Sequence, residues 1–414
     1  MFNQIDEVYT WLYSQKKLQK RKDLERIKRC ILDLDLKPNY KICHIAGTNG
    51  KGSVAKYIKE ILSLTNRHVG FFVSPYILSF NERIEINDRY ISDAEIMHYA
   101  NILYEYSQNY YLKYNDIIPF FELTLLMALM YFKDRKIDYA VIECGLGGLL
   151  DPTNALDKEL SIITNIGYDH MEQLGNTLEE IAYHKLGIVK ENGLLITAVD
   201  DNLIPLFNEY TTKLHAKMIH VSKDVTNIQS DTYTHFTYKG INYKTNLLGT
   251  YQAYNASIAI EAINHIDNKI PYDIISYALE HISWPGRMEL VSKSPMILLD
   301  GGHNIHAICH TVDYLKEIKG NKKIKVLFTS LQDKDYKGML HELDKIASYY
   351  YFTTLNDLRK SNPAIFKENR NNSIIIEDTD LCLDRAISEL RDDEILFITG
   401  SLHFISYIRK KLKK

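Results

Sequence analysis

The stretch from Lys41 to Leu64 constrains the fold more than any other part of this chain. An apolar run, KICHIA, enters a glycine-rich turn with the sequence GTNGKGS, and apolar residues at helical spacing follow the turn. This order predicts a strand, a phosphate-binding loop and a helix. Glycines let backbone N–H groups converge on an anion, and the helix N-terminus adds partial positive charge. The predicted nucleotide-binding residues are Gly47, Thr48, Asn49, Gly50, Lys51, Gly52 and Ser53.

Two side chains of this turn are suited to phosphate and metal chemistry. The Lys51 amine can reach the terminal phosphates of a nucleotide, and the Ser53 hydroxyl can ligate Mg²⁺. The spacing departs from the standard pattern G-x-x-x-x-G-K-[ST], because Ile45 stands at the first glycine position and Gly52 separates Lys51 from Ser53. The alternative is a structural glycine turn between a buried strand and a helix. We favour the phosphate loop, since Lys and Ser add nothing to a turn.

The bulk properties of the chain exclude several classes of protein. Its 414 residues favour two domains, and its formal charge of −3 gives no electrostatic footprint for nucleic acid. The five cysteines are odd in number and far apart, which suits a reducing compartment. The N-terminus lacks the pattern of a signal peptide, and the most apolar window, 120–132, is too short to span a bilayer. We therefore expect a cytoplasmic protein, a monomer, with no membrane segment.

Strands alternate with helices along most of the chain. This rhythm predicts an α/β fold whose N-terminal domain is a doubly wound, mostly parallel sheet, followed by a smaller Rossmann-like C-terminal domain. Residues 215–248 have alternating patterns that indicate a small antiparallel region beside the main sheet. The motif WPGR at 284–287 marks the boundary, which gives an N-terminal domain over 1–284 that carries the phosphate loop and a C-terminal domain over 285–414. Predicted strands cover 68–73, 138–143, 160–166, 194–199, 296–302, 323–330, 349–355, 373–379 and 394–400, and predicted helices cover 3–15, 22–34, 93–113, 119–134, 177–190, 252–267 and 272–282.

Polar residues end several of the predicted N-terminal strands. Ser74, Glu143 and His170 each follow a different strand, so a parallel sheet brings them to one edge beside the phosphate loop. Mg²⁺ prefers oxygen ligands, which makes Glu143 and the hydroxyls of Ser53 and Ser74 suitable and His170 less typical. A structural role for each is the alternative. It is weakest for Glu143, because burying an unpaired carboxylate is costly.

Three further residues stand out less clearly. Lys185 lies on a predicted helix, where a lone lysine is usually solvated or ion-paired. In the second domain, the sequence DGGHN ends an apolar strand and places Asp300 and His303 in a loop at the sheet edge. The alternative for this loop is a helix cap by Asn304 after a glycine turn.

Ordered motifs extend from about residue 40 to the C-terminal sequence GSLH. They are GTNGKGS, SPY, FFELT, ECGLGGLLDPTN, NIGYDH, HKLGI, WPGRME and DGGHN. In this order they resemble the folylpolyglutamate synthase/dihydrofolate synthase family of the Mur ligase superfamily.

The resemblance implies an ATP- and Mg²⁺-dependent amide ligase, with an ATP-binding domain over 1–284 and a C-terminal glutamate-ligase domain over 285–414. ATP phosphorylates a carboxylate of a folate or a dihydropteroate, and the amine of L-glutamate then displaces phosphate from the acyl phosphate. The implied partners are therefore ATP, L-glutamate and a folate or dihydropteroate, with no nucleic acid and no membrane.

The family's residue roles transfer onto matching positions of this chain. The resemblance implies that the phosphate loop holds ATP and that Lys185 is carbamylated, which turns a cation into a carboxylate-like metal ligand. The implied metal ligands are Ser53, Ser74, Glu143, His170 and Lys185. Gln252, Asn255, Arg287 and Asp300 are implied to lie near the nucleotide, and the catalytic residues are implied to be Lys51, Lys185, His170 and His303.

The chain departs from the family pattern at three positions. Leu149 stands where the family usually has Arg, Tyr76 where it has His, and Gly302 where it has Ala. Leu149 removes a fixed charge beside the metal site. The nucleotide and metal motifs are retained, so the alternatives concern the acceptor: another Mur-type amide ligase with a non-folate acceptor, or a catalytically weakened nucleotide-binding paralogue.

Overall fold

The computed structural model describes residues 1–15, 23–355 and 359–412. The chain divides into two compact units. The first consists of Met1–Lys223 with Asn255–Ala278, and the second of Asp224–Tyr254 with Leu279–Lys414. The assignment of an ATP-binding domain to 1–284 and a ligase domain to 285–414 stays a prediction.

The first unit is built on an eight-stranded sheet. Its strand order is β4-β3-β2-β5-β1-β6-β7-β8, in which β2, β5, β1, β6, β7 and β8 are parallel and β3 and β4 add an antiparallel edge. The central strands are apolar and buried, as expected for a parallel sheet with both faces covered. The strands are β1 (Lys41–Ala46), β2 (Val69–Phe72), β3 (Ile84–Ile86), β4 (Arg89–Tyr90), β5 (Tyr139–Glu143), β6 (Leu160–Ile163), β7 (Leu194–Thr197) and β8 (Lys217–His220).

Helices connect these strands and carry their own start signals. Ser92 and Thr177 cap α4 and α7, and in both cases a glutamate three residues later completes a capping box. Helix α5 is buried along most of its length, as its apolar sequence predicts. The helices are α1 (Ile5–Ser14), α2 (Glu25–Asp33), α3 (Lys51–Ser63), α4 (Asp93–Tyr114), α5 (Phe120–Asp134), α6 (Met171–Leu174), α7 (Leu178–Leu186), α8 (Ile204–Lys213), α9 (Tyr251–Ile266) and α10 (Tyr272–His281).

The second unit contains two sheets. A three-stranded antiparallel sheet has the order β11-β10-β9, formed by β9 (Val225–Ser230), β10 (Thr234–Tyr238) and β11 (Ile241–Thr245). A six-stranded sheet has the order β12-β13-β17-β14-β15-β16 and is parallel except at β12. Its elements are β12 (Glu289–Lys293), β13 (Met296–Leu299), α11 (Ile305–Ile318), β14 (Lys323–Phe328), α12 (Tyr336–Leu343), β15 (Ala347–Phe352), β16 (Ser373–Ile375), α13 (Thr379–Ser388), β17 (Glu394–Thr399) and α14 (Leu402–Leu412).

The fold class predicted from the sequence is confirmed, with local corrections. Residues 217–220, expected in the antiparallel region, form β8 of the main parallel sheet, and β9–β11 alone make the antiparallel sheet. The hairpin β3–β4 and the edge strand β12 were not predicted, because each is short and lies beside polar residues. The helix predicted over 22–34 is α2, and residue 22 lies outside the described residues. Within the described residues, no helix is long and apolar enough to cross a membrane.

Candidate active site

The phosphate-loop sequence adopts a conformation that requires glycine at two positions. Gly50 has a φ of 80° and precedes α3, and a Cβ there would lie 2.6 Å from Asn255 Oδ1. Gly47 has a φ of 149°, and a Cβ there would clash with the hydroxyl of Thr164. Residues with side chains rarely adopt these angles, so the loop conformation requires glycine at both positions. The loop therefore leads into the first turn of α3, whose N–H groups have no acceptor within the helix, and this is the geometry of an anion site.

The segment after β6 braces this loop. The backbone N–H of Thr48 donates to Asn165 O at 3.0 Å, and the N–H of Asn49 donates to Asn165 Oδ1 at 2.9 Å. The Thr48 hydroxyl donates to Gly167 O at 3.1 Å and accepts from Gly167 N at 2.9 Å. Thr164 completes the set by donating to Asn49 O at 2.5 Å. The loop is thus held in shape by the residues that begin the motif NIGYDH.

Two lysines converge on the loop. Lys51 Nζ donates to Gly47 O and Thr48 O, both at 3.1 Å, and Lys185 Nζ donates to Gly47 O at 2.9 Å. Lys185 is only 3% exposed. Burial, reinforced by the nearby charge of Lys51, lowers the pKa of Lys185 to about 7. A substantial fraction of Lys185 is therefore a neutral amine near neutral pH, which is the form that can react with carbon dioxide.

Glu143 and Ser74 meet at the carboxyl ends of neighbouring strands. Glu143 ends β5 and is buried, and its Oε2 accepts from Ser74 N at 3.0 Å. Ser74 follows β2, which pairs with β5 in parallel. Ser53 lies in the first turn of α3 and is also buried. A buried carboxylate with hydroxyl groups on adjacent elements is a donor set that suits Mg²⁺, so the residues present fit that ion.

His170 lies on the same side of the sheet but in a more open setting. It precedes α6 with a φ of 51°, and its side chain is 43% exposed. Its Nε2 lies 3.9 Å from Asp169 Oδ2, and its backbone N–H donates to Asp169 Oδ1 at 2.9 Å. The residues described contain no group of three or more His, Cys, Asp or Glu side chains arranged to hold a metal ion.

Helix α9 carries two of the predicted nucleotide-binding residues. Gln252 and Asn255 are both buried. They are three positions apart in the sequence, which places them on one side of the helix. The Asn255 side chain lies directly against Gly50, because the space that a Cβ would need at that glycine is already taken by the Asn255 amide group.

Asp300 is a predicted site residue of the second unit. It is buried, accepts from Met288 N at 2.9 Å and accepts from Gly302 N at 2.8 Å. Burial raises the pKa of the Asp300 carboxyl, and the positive charge of Arg287 opposes that rise. The two backbone bonds fix the carboxyl group and join the strand end to the segment that carries Arg287.

His303 is oriented by its own loop. Its Nδ1 lies 3.1 Å from Gly301 O. A carbonyl oxygen can only accept, so Nδ1 carries the proton in this contact. Asn304 caps α11 by accepting from Ala307 N at 2.8 Å. The glycine turn and helix cap that we considered as an alternative is present, and it holds His303 at the end of β13.

Arg83 was not singled out in the sequence. The structure buries this side chain, with its guanidinium carbon 5.2 Å from the ring centre of Tyr76, 5.8 Å from Phe80 and 5.4 Å from Phe120. Its Nε has no hydrogen-bond partner among the described residues. Burial lowers the pKa of Arg83, and the nearby carboxylate of Glu143 opposes this. Arg83 therefore lies close to Glu143 at the predicted metal-binding edge, and no signal in its local sequence indicated this.

The domain comparison defines the class of protein. The family model of the Mur ligase middle domain matches residues 45–263, and that of the Mur ligase glutamate ligase domain matches residues 286–402. The chain is thus built as a Mur-type ligase. A dihydrofolate synthase/folylpolyglutamate synthase of Bacillus subtilis is 34% identical over the full length of both chains. The chain belongs to the dihydrofolate synthase/folylpolyglutamate synthase family, as its motifs predicted.

Two other comparisons extend over nearly the whole chain. A folylpolyglutamate synthase of Lacticaseibacillus casei is 29% identical and covers 98% of each chain. A crystal structure of a bifunctional folylpolyglutamate synthase/dihydrofolate synthase with Mn, AMPPNP and L-glutamate bound is 26% identical, covers 98% of each chain and superposes with a TM-score of 0.85.

Proposed function

We propose that this protein joins L-glutamate to a carboxylate of a folate or dihydropteroate, using ATP and passing through an acyl phosphate. The observation that carries the proposal is the pair of lysines on the carbonyl of Gly47, one of them with its pKa lowered to about 7. A plain nucleotide-binding module has no need for a buried amine at its phosphate loop. The related structure with Mn, AMPPNP and L-glutamate bound supports a nucleotide, a divalent metal ion and L-glutamate as ligands.

The phosphate loop is proposed to hold the ATP phosphates. Backbone N–H groups at the start of α3 and the amine of Lys51 supply positive charge where the transferred phosphoryl group gains negative charge. Asn255 lies against the loop and is proposed to contact the nucleotide. Gln252, Arg287 and Asp300 are proposed as further nucleotide contacts, and His303 as a catalytic residue.

The metal ligands are proposed to be Ser53, Ser74, Glu143, His170 and Lys185. A bound Mg²⁺ would neutralise charge on the phosphoryl oxygens. The neutral amine of Lys185 can add to carbon dioxide, forming a carbamate and releasing one proton. That reaction replaces a cation, which would repel the metal ion, by an oxygen ligand.

The cluster around Arg83 supports an acceptor with a flat ring. Tyr13 stacks on Phe120, and its hydroxyl lies 2.8 Å from the hydroxyl of Tyr76. Aromatic faces suit a pteridine ring, and a buried guanidinium with an unsatisfied Nε suits a carboxylate. We propose that Tyr76, together with Leu149, adjusts the preference among folate acceptors in this chain.

Two general properties remain proposals. A cytoplasmic location is supported by the cysteines, which are all free thiols: Cys30, Cys43, Cys144, Cys309 and Cys382. The monomeric state expected from the sequence is open to measurement by light scattering.

The test is ADP formation by the purified protein with Mg²⁺ and L-glutamate, run in parallel with dihydropteroate, with tetrahydrofolate and with no acceptor. Acceptor-dependent ADP release together with a product heavier by one glutamate is the expected result. ATP binding without turnover would indicate the weakened paralogue, and turnover only with a muropeptide would indicate another Mur-type ligase. Either result would overturn the proposal.

A further inference from the structure

A buried network of hydrogen-bonded polar groups lies next to the glycine loop that follows Glu143. His44 of β1 is 1% exposed, and both of its ring nitrogens have partners. Nε2 lies 2.7 Å from Thr153 Oγ1 and 3.0 Å from Cys144 Sγ, and Nδ1 lies 2.8 Å from Lys158 Nζ. The function proposed above uses none of His44, Thr153 and Lys158.

The directions of these hydrogen bonds follow from the Asp151 carboxylate, which can only accept. The Asp151 carboxylate accepts from Leu146 N at 2.8 Å and from Thr153 N at 3.1 Å. The Thr153 hydroxyl also donates to Asp151, at 2.5 Å, and so has no hydrogen left for His44. His44 must therefore donate from Nε2, which leaves Nδ1 as the acceptor for Lys158. The ring is held in one tautomer.

The surroundings keep this ring neutral. Burial holds the pKa of His44 well below its ordinary value, and the charges of Lys158 and Lys190 act in the same direction. Burial lowers the pKa of Lys158 to about 7, again with help from Lys190. Cys144, Asp151 and Asp157 act in the opposite direction on Lys158. Lys158 keeps a second acceptor, Asn154 Oδ1, at 2.7 Å.

This hydrogen-bond network lies between the phosphate loop and the glycine loop that follows Glu143. His44 lies three residues before Gly47 on the strand that leads into the phosphate loop. The other end is Leu146 N, three residues after Glu143 and inside the loop 145–148. The hydrogen bonds therefore connect the strand of the phosphate loop to the loop that begins beside the buried carboxylate.

We propose that His44 and Thr153 are positioning residues, which act through Asp151 to fix the glycine loop 145–148 beside Glu143. The inference rests on the proposed ligase function for its effect on rate. Replacing either residue is expected to change kcat and the KM for the acceptor. The KM for ATP is expected to stay the same, because the phosphate loop has separate bonds to residues 164–167.

The first test compares Thr153→Val with Thr153→Ser. Valine keeps the shape but removes the hydroxyl, so kcat is expected to fall about tenfold with an unchanged KM for ATP, whereas serine restores most of the rate. Thr211→Val is the matched control, because Thr211 is a buried threonine whose hydroxyl bonds to the backbone oxygens of Phe207 and Asn208 within α8. A Thr153→Val enzyme with wild-type kcat would overturn the proposal, as would equal losses in the Thr211→Val control.

The second test uses NMR to measure the protonation of the His44 ring nitrogens, and it needs no enzymatic turnover. In protein with ¹⁵N-labelled histidine, the His44 signals are assigned by their absence in His44→Gln, and they are expected to show a neutral ring protonated at Nε2. Lys158→Met removes the donor to Nδ1 and is expected to shift that nitrogen. Protonation of His44 at Nδ1 in the wild-type protein would contradict the inference. Because this readout needs no substrate, it separates failure of the inference from failure of the proposed ligase activity.

Discussion

Lys51 and Lys185 both donate a hydrogen bond to the carbonyl oxygen of Gly47, at 3.1 and 2.9 Å. Burial lowers the pKa of Lys185, and repulsion from the ammonium group of Lys51 at the shared acceptor acts in the same direction, so Lys185 loses its proton more readily. The two lysines therefore differ in chemistry although they meet at one atom. Lys51 at the start of α3 is suited to phosphate, and Lys185 is suited to modification.

Replacing Lys51 tests the phosphate assignment. Lys51→Ala is expected to reduce the rate of ADP formation at least about a hundredfold, because it removes the positive charge that stabilises the transferred phosphoryl group. The fold should remain, since the loop keeps its bonds to residues 164–167. Circular dichroism and thermal unfolding check the fold. Near-normal turnover in a folded Lys51→Ala protein would show that the loop does not bind the reacting phosphates.

Lys185 offers a chemical rescue experiment. Lys185→Ala is expected to lose activity, because no oxygen ligand forms at that position, and small carboxylates such as acetate are expected to restore part of it. Lys213→Ala serves as the control, since Lys213 is an exposed lysine of α8 paired with Glu209. Mass spectrometry of gently prepared wild-type protein should show the added carbon dioxide. Wild-type rates in Lys185→Ala without any additive would remove the carbamate from the mechanism.

Lys158 should leave a signature in the pH dependence of stability. Its pKa is about 7 in the folded protein against an ordinary value of 10.5, so the unfolded chain holds more protons between these values. The free energy of unfolding therefore rises with pH across this window, by at most about 1.4 kcal/mol per pH unit from this group. Below pH 7 the amine is charged in both states and its desolvation cost is present in full.

The measurement is urea unfolding of the wild-type protein and Lys158→Met at several values between about pH 7 and about pH 9. The variant should show a smaller increase in the free energy of unfolding over that range. The slope is the informative quantity, because the variant also loses two hydrogen bonds that change stability at every pH. Equal slopes would show that Lys158 titrates normally.

The parts of the site that depend on local sequence were predicted well. Glycines at 47 and 50 indicate a backbone that only glycine adopts easily, and the structure has positive φ angles at both. Glu143 ends a predicted apolar strand, and parallel pairing of β2 with β5 explains its contact with Ser74. The roles of these residues remain predictions, although their placement agrees with the pattern.

Residues whose environment depends on distant contacts were not predicted from their spacing. Lys185 has the spacing of an ordinary helical lysine, and its pKa is lowered because the fold buries it and brings it near Lys51, which is far away in sequence. Arg83 has the sequence context of a polar loop, yet rings from α5 and from its own loop surround it. Only the family resemblance indicated Lys185. Nothing in the local pattern around Arg83 indicates burial, because charged residues are normally exposed.

Arg83 provides the sharpest test of acceptor binding. Its guanidinium is desolvated among aromatic rings, and its Nε lacks a partner among the described residues, so it costs stability in the absence of a bound anion. Arg83→Met should therefore change the free energy of unfolding by no more than about 1 kcal/mol and raise the KM for the acceptor about tenfold, with the KM for ATP unchanged. Arg89→Met is the control, because Arg89 is an exposed arginine on the adjacent hairpin that pairs with Glu95. A loss of ATP affinity equal to the loss of acceptor affinity would mean that Arg83 supports the whole sheet edge and does not recognise the acceptor.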